Sequence, residues 1–263
     1  MNPKWILMAL ILASCGEGTT GKRVVLHTRI TSDLPADHTV VTSSGWSITL
    51  EAAAISTGAL YYFDGEPAFT QRAPVRPNLL EQFIESLAPI QAAYAHPGHY
   101  VAGNAKGEQL ESSSADLLAG AAPLPDGDGV SGPFRSATFS LAVPTAGPAT
   151  TVLDGNVAMA RGTATKGGKT VHFLAVATLA EIEKTAKDGA ITGCIFHEAD
   201  VQAEGTVTIT VHPRVWFSLI DFSVLAEGTA EAPTLLAADS TERIAFALGL
   251  TQLSAYDLAY STP

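Results

Sequence analysis

The sequence has only two cysteines, Cys15 and Cys194, among its 263 residues. They stand in such different contexts that a disulfide framework is excluded, so the fold must depend on a buried core. Charged residues make up 16% of the chain and hydrophobic residues 46%, which excludes a disordered polyampholyte. Basic residues are also few, because 15 Lys and Arg face 26 Asp and Glu and give a formal net charge of −11. A chain of this charge repels a phosphate backbone, and nucleic acid is therefore not expected as a partner.

The sequence also lacks an apolar run long enough to cross a bilayer as a helix. The run Ile6 to Ala13 near the N-terminus would span about 12 Å as a helix, against roughly 30 Å of hydrocarbon. It follows Lys4 and ends in small residues, a pattern typical of an export signal. Residues 1–14 are therefore predicted to be a signal peptide.

The segment Leu12-Ala13-Ser14-Cys15-Gly16 resembles the lipobox of bacterial lipoproteins. In that family the signal is cut before the cysteine and the thiol is acylated, so the resemblance implies lipidation of Cys15. Gly16, in place of an Asp after the cysteine, implies the outer membrane, with the protein facing the periplasm or the outside. Residues 15–22 are then the lipidated cysteine and a polar, Gly-rich flexible tether. The alternative is an ordinary secretory signal in which Cys15 is incidental.

Short apolar runs that alternate with polar residues predict a single mainly β domain over residues 23–263. We expect an antiparallel β-sandwich or a barrel-like domain. The clearest predicted strands are 46–50, 60–63, 137–143, 171–178, 206–212 and 256–260. The pair Gly167-Gly168 predicts a two-residue turn between two of the strands.

One or two short helices and a long insertion complete the predicted domain. Asn78 is a candidate cap for a helix over 79–87, and Asp239 with Glu242 is a candidate start for a helix around 244–248. Residues 74–130 are predicted to be a loop and helix insertion, because they include the first helix and a stretch rich in Pro and Gly at 123–129. Insertions of this kind on a β scaffold commonly carry binding sites.

The most suggestive motif for chemistry is His96-Pro97-Gly98-His99. A Pro-Gly turn brings its flanking residues within about 7 Å of each other, so the two imidazoles are well placed to chelate an ion. Imidazole suits copper and zinc, and Glu108 is a candidate oxygen ligand. The alternative is a surface turn between the aromatic anchors Tyr94 and Tyr100.

His172, His197 and His212 lie on predicted strands and are further candidate ligands. If Glu204-Gly205 is a two-residue hairpin loop, His197 and His212 face each other across the ladder. A slip of one residue improves the apolar pairing and separates them, so this alternative stays open.

Cys194 and His197 form a Cys-x-x-His sequence that suggests a soft-metal site. Residues three apart on a flat strand point to opposite faces, so such a site would require a bulge. The alternative is a buried, unreactive thiol. His27 and His38 have no evident partner in the sequence.

The body of the chain is similar, in the order of its strands, to exported β-rich copper-binding proteins of the methanobactin-associated type. The residues concerned are Gly45–Glu51, Gly58–Gly65 and Val211-His212-Pro213 with Trp216. This resemblance implies copper as the metal and places Trp46 or Trp216 near it.

No Gly-x-Ser-x-Gly, His-Glu-x-x-His, Walker or dinucleotide-binding motif occurs in the sequence, so no enzyme class is predicted. The function that we expect is an outer-membrane-anchored lipoprotein that binds copper or zinc through histidines. The alternative is a non-enzymatic envelope interaction or assembly module that binds no metal and contacts an envelope protein.

Overall fold

The computed structural model describes residues 21–68 and 100–263. Strands make up 47% of the structure and helices 15%, which confirms the predicted mainly β class. The strands are β1 (Arg23–Ser32), β2 (Thr39–Val41), β3 (Ser47–Thr57), β4 (Leu60–Phe63), β5 (Ala105–Gln109), β6 (Ser113–Asp116), β7 (Ala122–Val130), β8 (Gly132–Ser140), β9 (Ala158–Lys166), β10 (Lys169–Ala177), β11 (Ala190–Val201), β12 (Gly205–Val211), β13 (Thr234–Leu235) and β14 (Tyr256–Ser261). The helices are α1 (Thr150–Leu153), α2 (Leu179–Glu183), α3 (Pro213–Trp216) and α4 (Thr241–Leu250).

Eight strands form a closed barrel in the order β1-β12-β14-β11-β8-β4-β5-β7. Strand β1 closes the ring, because it pairs in parallel with β12 and antiparallel with β7. The β11–β14 pair is also parallel, whereas the other barrel neighbours run antiparallel. Closure removes the exposed backbone edges that an open sheet presents to other chains.

Along β1 and β12, every second side chain is buried, as the alternation in the sequence predicts. Leu26 and Ile30 of β1 are fully buried, as are Val207 and Ile209 of β12. An aromatic cluster packs beside them, with ring centroids 5.8 Å apart for Tyr62–Phe134, 5.8 Å for Tyr62–Phe196 and 5.5 Å for Phe134–Phe196. Fully burying each such ring contributes roughly 2–3 kcal/mol, so this cluster is a main source of stability.

The remaining strands form a second sheet in the order β13-β10-β9-β3-β2, with β6 also paired to β3. The strands of this sheet lie in the connections that leave one end of the barrel. At that end Ser32 pairs with Val211, and Val211 pairs with Tyr256. Those connections supply β2 and β3 before β4, β6 before β7, β9 and β10 before β11, and β13 before β14. We call this end the capped end.

The opposite end of the barrel carries the N-terminal entry to β1, and we call it the tether end. Arg23 pairs there with Val130, and Val201 pairs with Gly132. The chain turns tightly between β7 and β8 and again between β11 and β12. The connection between β4 and β5 also leaves from this end, because Phe63 pairs with Ala105.

The structure corrects the predicted insertion at 74–130 for its described part. Residues 105–130 contain β5 and β7 of the barrel and β6 of the second sheet. Pro123 and Pro125 hid β7 in the sequence, because proline cannot donate to a ladder. The prolines are tolerated because β5 pairs with β7 only at Asp128 and Gly129. Of its two barrel neighbours, the segment that contains the prolines therefore pairs with β1 alone.

The predicted helix around 244–248 is confirmed as α4, but its cap is Ser240 rather than Asp239. The Ser240 hydroxyl accepts a hydrogen bond from the Arg243 amide at 3.2 Å, whereas Asp239 has a positive φ of 62° before the helix begins. The described residues contain three further α-helices, each of four or five residues. Helices of this length have too few residues to show an apolar stripe, so the hydrophobic periodicity of the sequence does not predict them. The predicted helix over 79–87 lies outside the described residues.

Two local predictions are confirmed in the sheets. Gly167 and Gly168 connect β9 to β10, where Lys166 pairs with Lys169. The C-terminal alternation is β14, which inserts between β11 and β12 of the barrel. Within residues 21–68 and 100–263, no helix has both the length and the apolar character needed to cross a bilayer.

Candidate functional site

The strongest polar cluster of the described structure lies around His212 at the capped end, directly after β12. Its Nδ1 is 2.8 Å from Asp33 Oδ2, and its Nε2 is 2.9 Å from Asp257 Oδ2. Asp33 follows β1 and Asp257 lies on β14. A single imidazole therefore bridges the ends of three neighbouring strands.

The carboxylates hold His212 in its charged form. The hydrogen bond to Asp257, together with that to Asp33, raises the pKa of His212 to about 9 against the opposing effect of burial. The hydrogen bond from His212 in turn lowers the pKa of Asp257. Both ring nitrogens therefore donate to carboxylates at neutral pH, and neither has a lone pair to offer a metal ion.

His197 approaches the same cluster from β11. Its Nε2 is 3.6 Å from Asp257 Oδ1, and 60% of its side chain is exposed. The structure thus brings His197 and His212 to opposite oxygens of one carboxylate. The predicted hairpin pairing of β11 with β12 is wrong in both registers, because β14 lies between the two strands. No local pattern around Glu204-Gly205 reveals a strand that arrives from the far C-terminus.

The other candidate ligands lie apart from this cluster or outside the described residues. His172 lies on β10 of the second sheet, with Nδ1 3.1 Å from Thr163 Oγ1. Glu108 is exposed on β5, where it pairs with Asp128 of β7. His96 and His99 are outside the described residues. Among the residues that the structure does describe, no three His, Cys, Asp or Glu side chains form a group suited to a metal ion.

Cys194 is fully buried in β11, which confirms the alternative of a buried thiol. Burial raises the pKa of this thiol to about 12. Its Sγ donates a weak hydrogen bond to the Ile191 carbonyl at 3.3 Å. Because the metal ligand is a thiolate, a thiol held neutral in this way does not join His197 in binding a soft metal.

The two tryptophans named by the copper-protein resemblance both lie in the core. Trp46 packs against Phe222 with ring centroids 5.6 Å apart. Trp216 packs edge-on against Phe246 at 6.1 Å. Their rings therefore contribute buried apolar area between the second sheet and the helices.

His27 is a bridging residue that the sequence did not reveal. Its Nδ1 is 3.0 Å from Asp126 Oδ1 on β7, and its Nε2 is 2.8 Å from Glu204 Oε1 in the turn before β12. The hydrogen bond to Asp126, and then that to Glu204, raises its pKa. The partners are 99 and 177 residues away along the chain, so only the barrel topology places them together.

The described residues on either side of 69–99 are anchored at one point of the barrel wall, the bulge at Gly193 in β11. The Ala68 amide donates to the Gly193 carbonyl at 3.1 Å. The Ser136 hydroxyl donates to the Gly65 carbonyl at 2.6 Å, so the Tyr100 hydroxyl is the donor in its 2.5 Å contact with Ser136. Ala68 and Tyr100 therefore lie beside the same strand.

Gly193 permits this anchoring because it has no side chain and a positive φ of 91°. A Cβ at this position would lie 2.6 Å from the Ala68 Cβ and 3.2 Å from Tyr100 Cδ2. Both contacts are closer than packed carbon atoms normally allow. The glycine thus fixes where residues 68 and 100 can dock.

No protein family model matches the chain, and no curated protein or solved structure matches it significantly.

We predict that Gly193→Ala lowers the free energy of unfolding by about 2–3 kcal/mol, because it combines an unfavourable φ with overpacking against Ala68. Urea denaturation measures this value. Thr192→Ala, an exposed change at the adjacent position, is the matched control and should change it by less than about 0.5 kcal/mol. Equal stability of the two variants would contradict the proposed anchoring.

We predict that the His212 cluster makes the fold less stable at alkaline pH. The pKa of His212 is about 9 in the folded state, above the ordinary 6.5. Its contribution to the free energy of unfolding is therefore complete below pH 6.5 and is lost as the pH rises to 9. The loss should be roughly 1–2 kcal/mol, because solvent partly screens the ion pair. The side chains of His212 and Asp257 are 24% and 23% exposed. The depressed pKa of Asp257 contributes stability that is present above pH 3.8 and is lost in acid.

Urea denaturation from pH 5.5 to 9.5 tests this dependence, with His212→Gln compared against the wild type. His212→Gln should remove most of the decline between pH 6.5 and 9. His172→Gln is the matched control, since it changes a half-buried histidine that faces a threonine, and should retain the decline. An undiminished decline in His212→Gln would refute the assignment.

Proposed function

We propose that this chain is an outer-membrane lipoprotein, anchored through acylated Cys15, that binds a copper or zinc ion through His96 and His99. The observation that carries the metal-binding part is the anchoring of Tyr100, which directly follows His99. Tyr100 packs on the Gly193 bulge and donates its hydroxyl to Ser136. The residue that follows the His-Pro-Gly-His motif is thus held on the barrel wall, and a fixed neighbour lowers the entropy cost of forming a site.

The chemistry of the described histidines supports placing the site at this motif. His27 and His212 each direct both ring nitrogens at carboxylates, so each is occupied as a charged hydrogen-bond donor. His197 is different, because its Nε2 lies 3.6 Å from a carboxylate oxygen of Asp257 and, among the described residues, its Nδ1 has no carboxylate partner. It lies on the same strand as Gly193 and is the described residue that we propose as a third ligand.

A second candidate function is an envelope interaction or assembly module that binds no metal. It is favoured by the absence of a three-ligand group from the described part of the chain. Two histidines alone are also fewer than the four ligands that a structural zinc site requires. On this hypothesis, residues 69–99 contact an envelope protein and the histidines are incidental.

Lipid attachment is tested by growing cells that express the full chain with labelled palmitate and separating their membranes. The wild type should carry the label and fractionate with the outer membrane, because two or more acyl chains hold a protein stably in a bilayer. Cys15→Ser should lose the label. Cys194→Ser is the matched control and should retain it, since the Cys194 thiol is buried. Label that persists in Cys15→Ser would refute the anchor.

Metal binding is tested by elemental analysis of the protein purified from the periplasm, where metal availability matches the proposed setting. The wild type should hold about one copper or zinc ion per chain, and the His96→Ala, His99→Ala double variant close to none, because a site of this kind needs its full ligand set. His197→Ala should bind more weakly, by about tenfold or more, by analogy with the loss of supporting groups at known sites.

His172→Ala and His27→Ala are the controls for metal content, and both should match the wild type. Retention of the ion in the double variant would refute the proposed ligands. An unmetallated wild type that co-purifies with an envelope protein would favour the second candidate function.

A further inference from the structure

The barrel is attached to its tether at one defined end. The Lys22 amide donates to Ser131 Oγ at 2.9 Å, and the Ser131 amide donates to the Lys22 carbonyl at 2.8 Å. These two bonds fix the entry of the chain to the tight turn between β7 and β8. The direction in which the tether leaves is therefore set by the fold.

We infer that the tether end of the barrel rests on the lipid headgroups and that the capped end, with the second sheet, points away from the membrane. This inference rests on the proposed acylation of Cys15, and it names the surface through which the anchored domain meets the bilayer. The surface consists of Lys22 and Arg23, the turn at 130–133 and the strand end at 105–108.

The length of the tether favours this orientation. Residues 16–21 separate Cys15 from Lys22 and span about 20 Å when fully extended. Strand β1 has ten residues, which gives a tilted barrel wall about 25 Å tall, and a packed second sheet adds about 10 Å. A membrane contact at the capped end would need a tether of about 35 Å, which these residues cannot span.

The side chains beside the tether suit a headgroup that carries both a phosphate and an ammonium. A cleft of about 380 Å³ lies between β4, β5, β7 and β1, and its lining includes Arg23, Lys106 and Tyr61 together with Glu108 and Asp128. Arg23 suits the phosphate, the carboxylates suit the ammonium, and tyrosine is enriched at bilayer interfaces. Lys106 adds positive charge beside Arg23, although its Nζ also lies 3.6 Å from Asp64 Oδ2. Within residues 21–68 and 100–263, no ion-pair partner of Arg23 is found.

A second cleft continues this surface toward the turn between β11 and β12. It has a volume of about 250 Å³ and shares Lys106 and Val130 with the first. Its lining also includes Gly21, the first described residue of the tether side, and Gln202 at the opposite rim. The lipid contact that we propose therefore extends across the tether end rather than to one side of the barrel.

The test attaches the chain to vesicles chemically and maps amide hydrogen exchange. The mature chain, residues 15–263, is coupled through the Cys15 thiol to a maleimide lipid in vesicles of phosphatidylethanolamine and phosphatidylcholine. Cys194 does not compete, because it is buried and its thiol pKa is raised to about 12. Coupling is independent of acylation in cells, so a failed palmitate experiment and a failed orientation experiment remain distinguishable.

On the vesicles, the amides of Val130, Ser131 and Gly132 in the 130–133 turn and those at 202–204 should exchange about tenfold more slowly than in the uncoupled chain. Amides at the turn Gly167-Gly168 in the second sheet should exchange at the same rate in both. Protection of the 167–168 turn, or the absence of protection at 130–133, would overturn the orientation.

Two matched variants on β1 test the headgroup contact. Arg23→Glu, at the tether end, should abolish most of the added protection at 130–133, because it places a carboxylate against the phosphates. Arg29→Glu, an exposed change nearer the capped end, should leave the protection intact. Equal protection in the two variants would overturn the proposed contact between Arg23 and the headgroups.

Discussion

Closure of the barrel by β1 is the constraint on which the rest of the structure depends. Without this strand, β7 and β12 would each present an unpaired edge to solvent. The pairing with β12 is parallel and joins segments about 180 residues apart, so local backbone contacts cannot establish it. Both histidine bridges lie at this seam. His27 connects β1 to β7 and to the start of β12, and Asp33, which follows β1, accepts a hydrogen bond from His212 after β12. The strand that closes the ring is thus held by imidazole–carboxylate contacts at its middle and directly after its C-terminal end.

The polarity of β1 also explains the unequal ends of the barrel. Its chain enters at the tether end and leaves at the capped end, where the connection to β4 begins to build the second sheet. The connections after β5, β8 and β12 leave from the same end and add their strands to that sheet. The tether end keeps tight turns and the connection between β4 and β5. The second sheet thus covers one end of the barrel, and a lipid at residue 15 would place the other end on the membrane.

The sequence predicted those features whose cause is local. The alternation at 206–212 and 256–260, the Gly167-Gly168 turn and the helix around 244–248 all depend on neighbouring residues, and all appear in the structure. The features that it did not predict depend on distant partners. Strand β7 exists because β1 pairs with it despite its prolines, and β14 separates His197 from His212 because the C-terminus returns between their strands. The same applies to His27, whose two carboxylate partners are brought to it only by closure of the ring.

The excess of acidic residues shapes the surroundings of the histidines that the structure describes. In a chain with 26 Asp and Glu, an imidazole that meets two carboxylates is stabilised as a cation. The pKa of His212 is raised in this way to about 9, and that of His27 is raised in the same direction. Residues 86–107, by contrast, contain no Asp or Glu. His96 and His99 lie in this stretch and therefore have no acidic neighbour close to them in sequence. Charge patterning along the chain therefore separates His96 and His99, which we propose as ligands, from the histidines that brace the barrel.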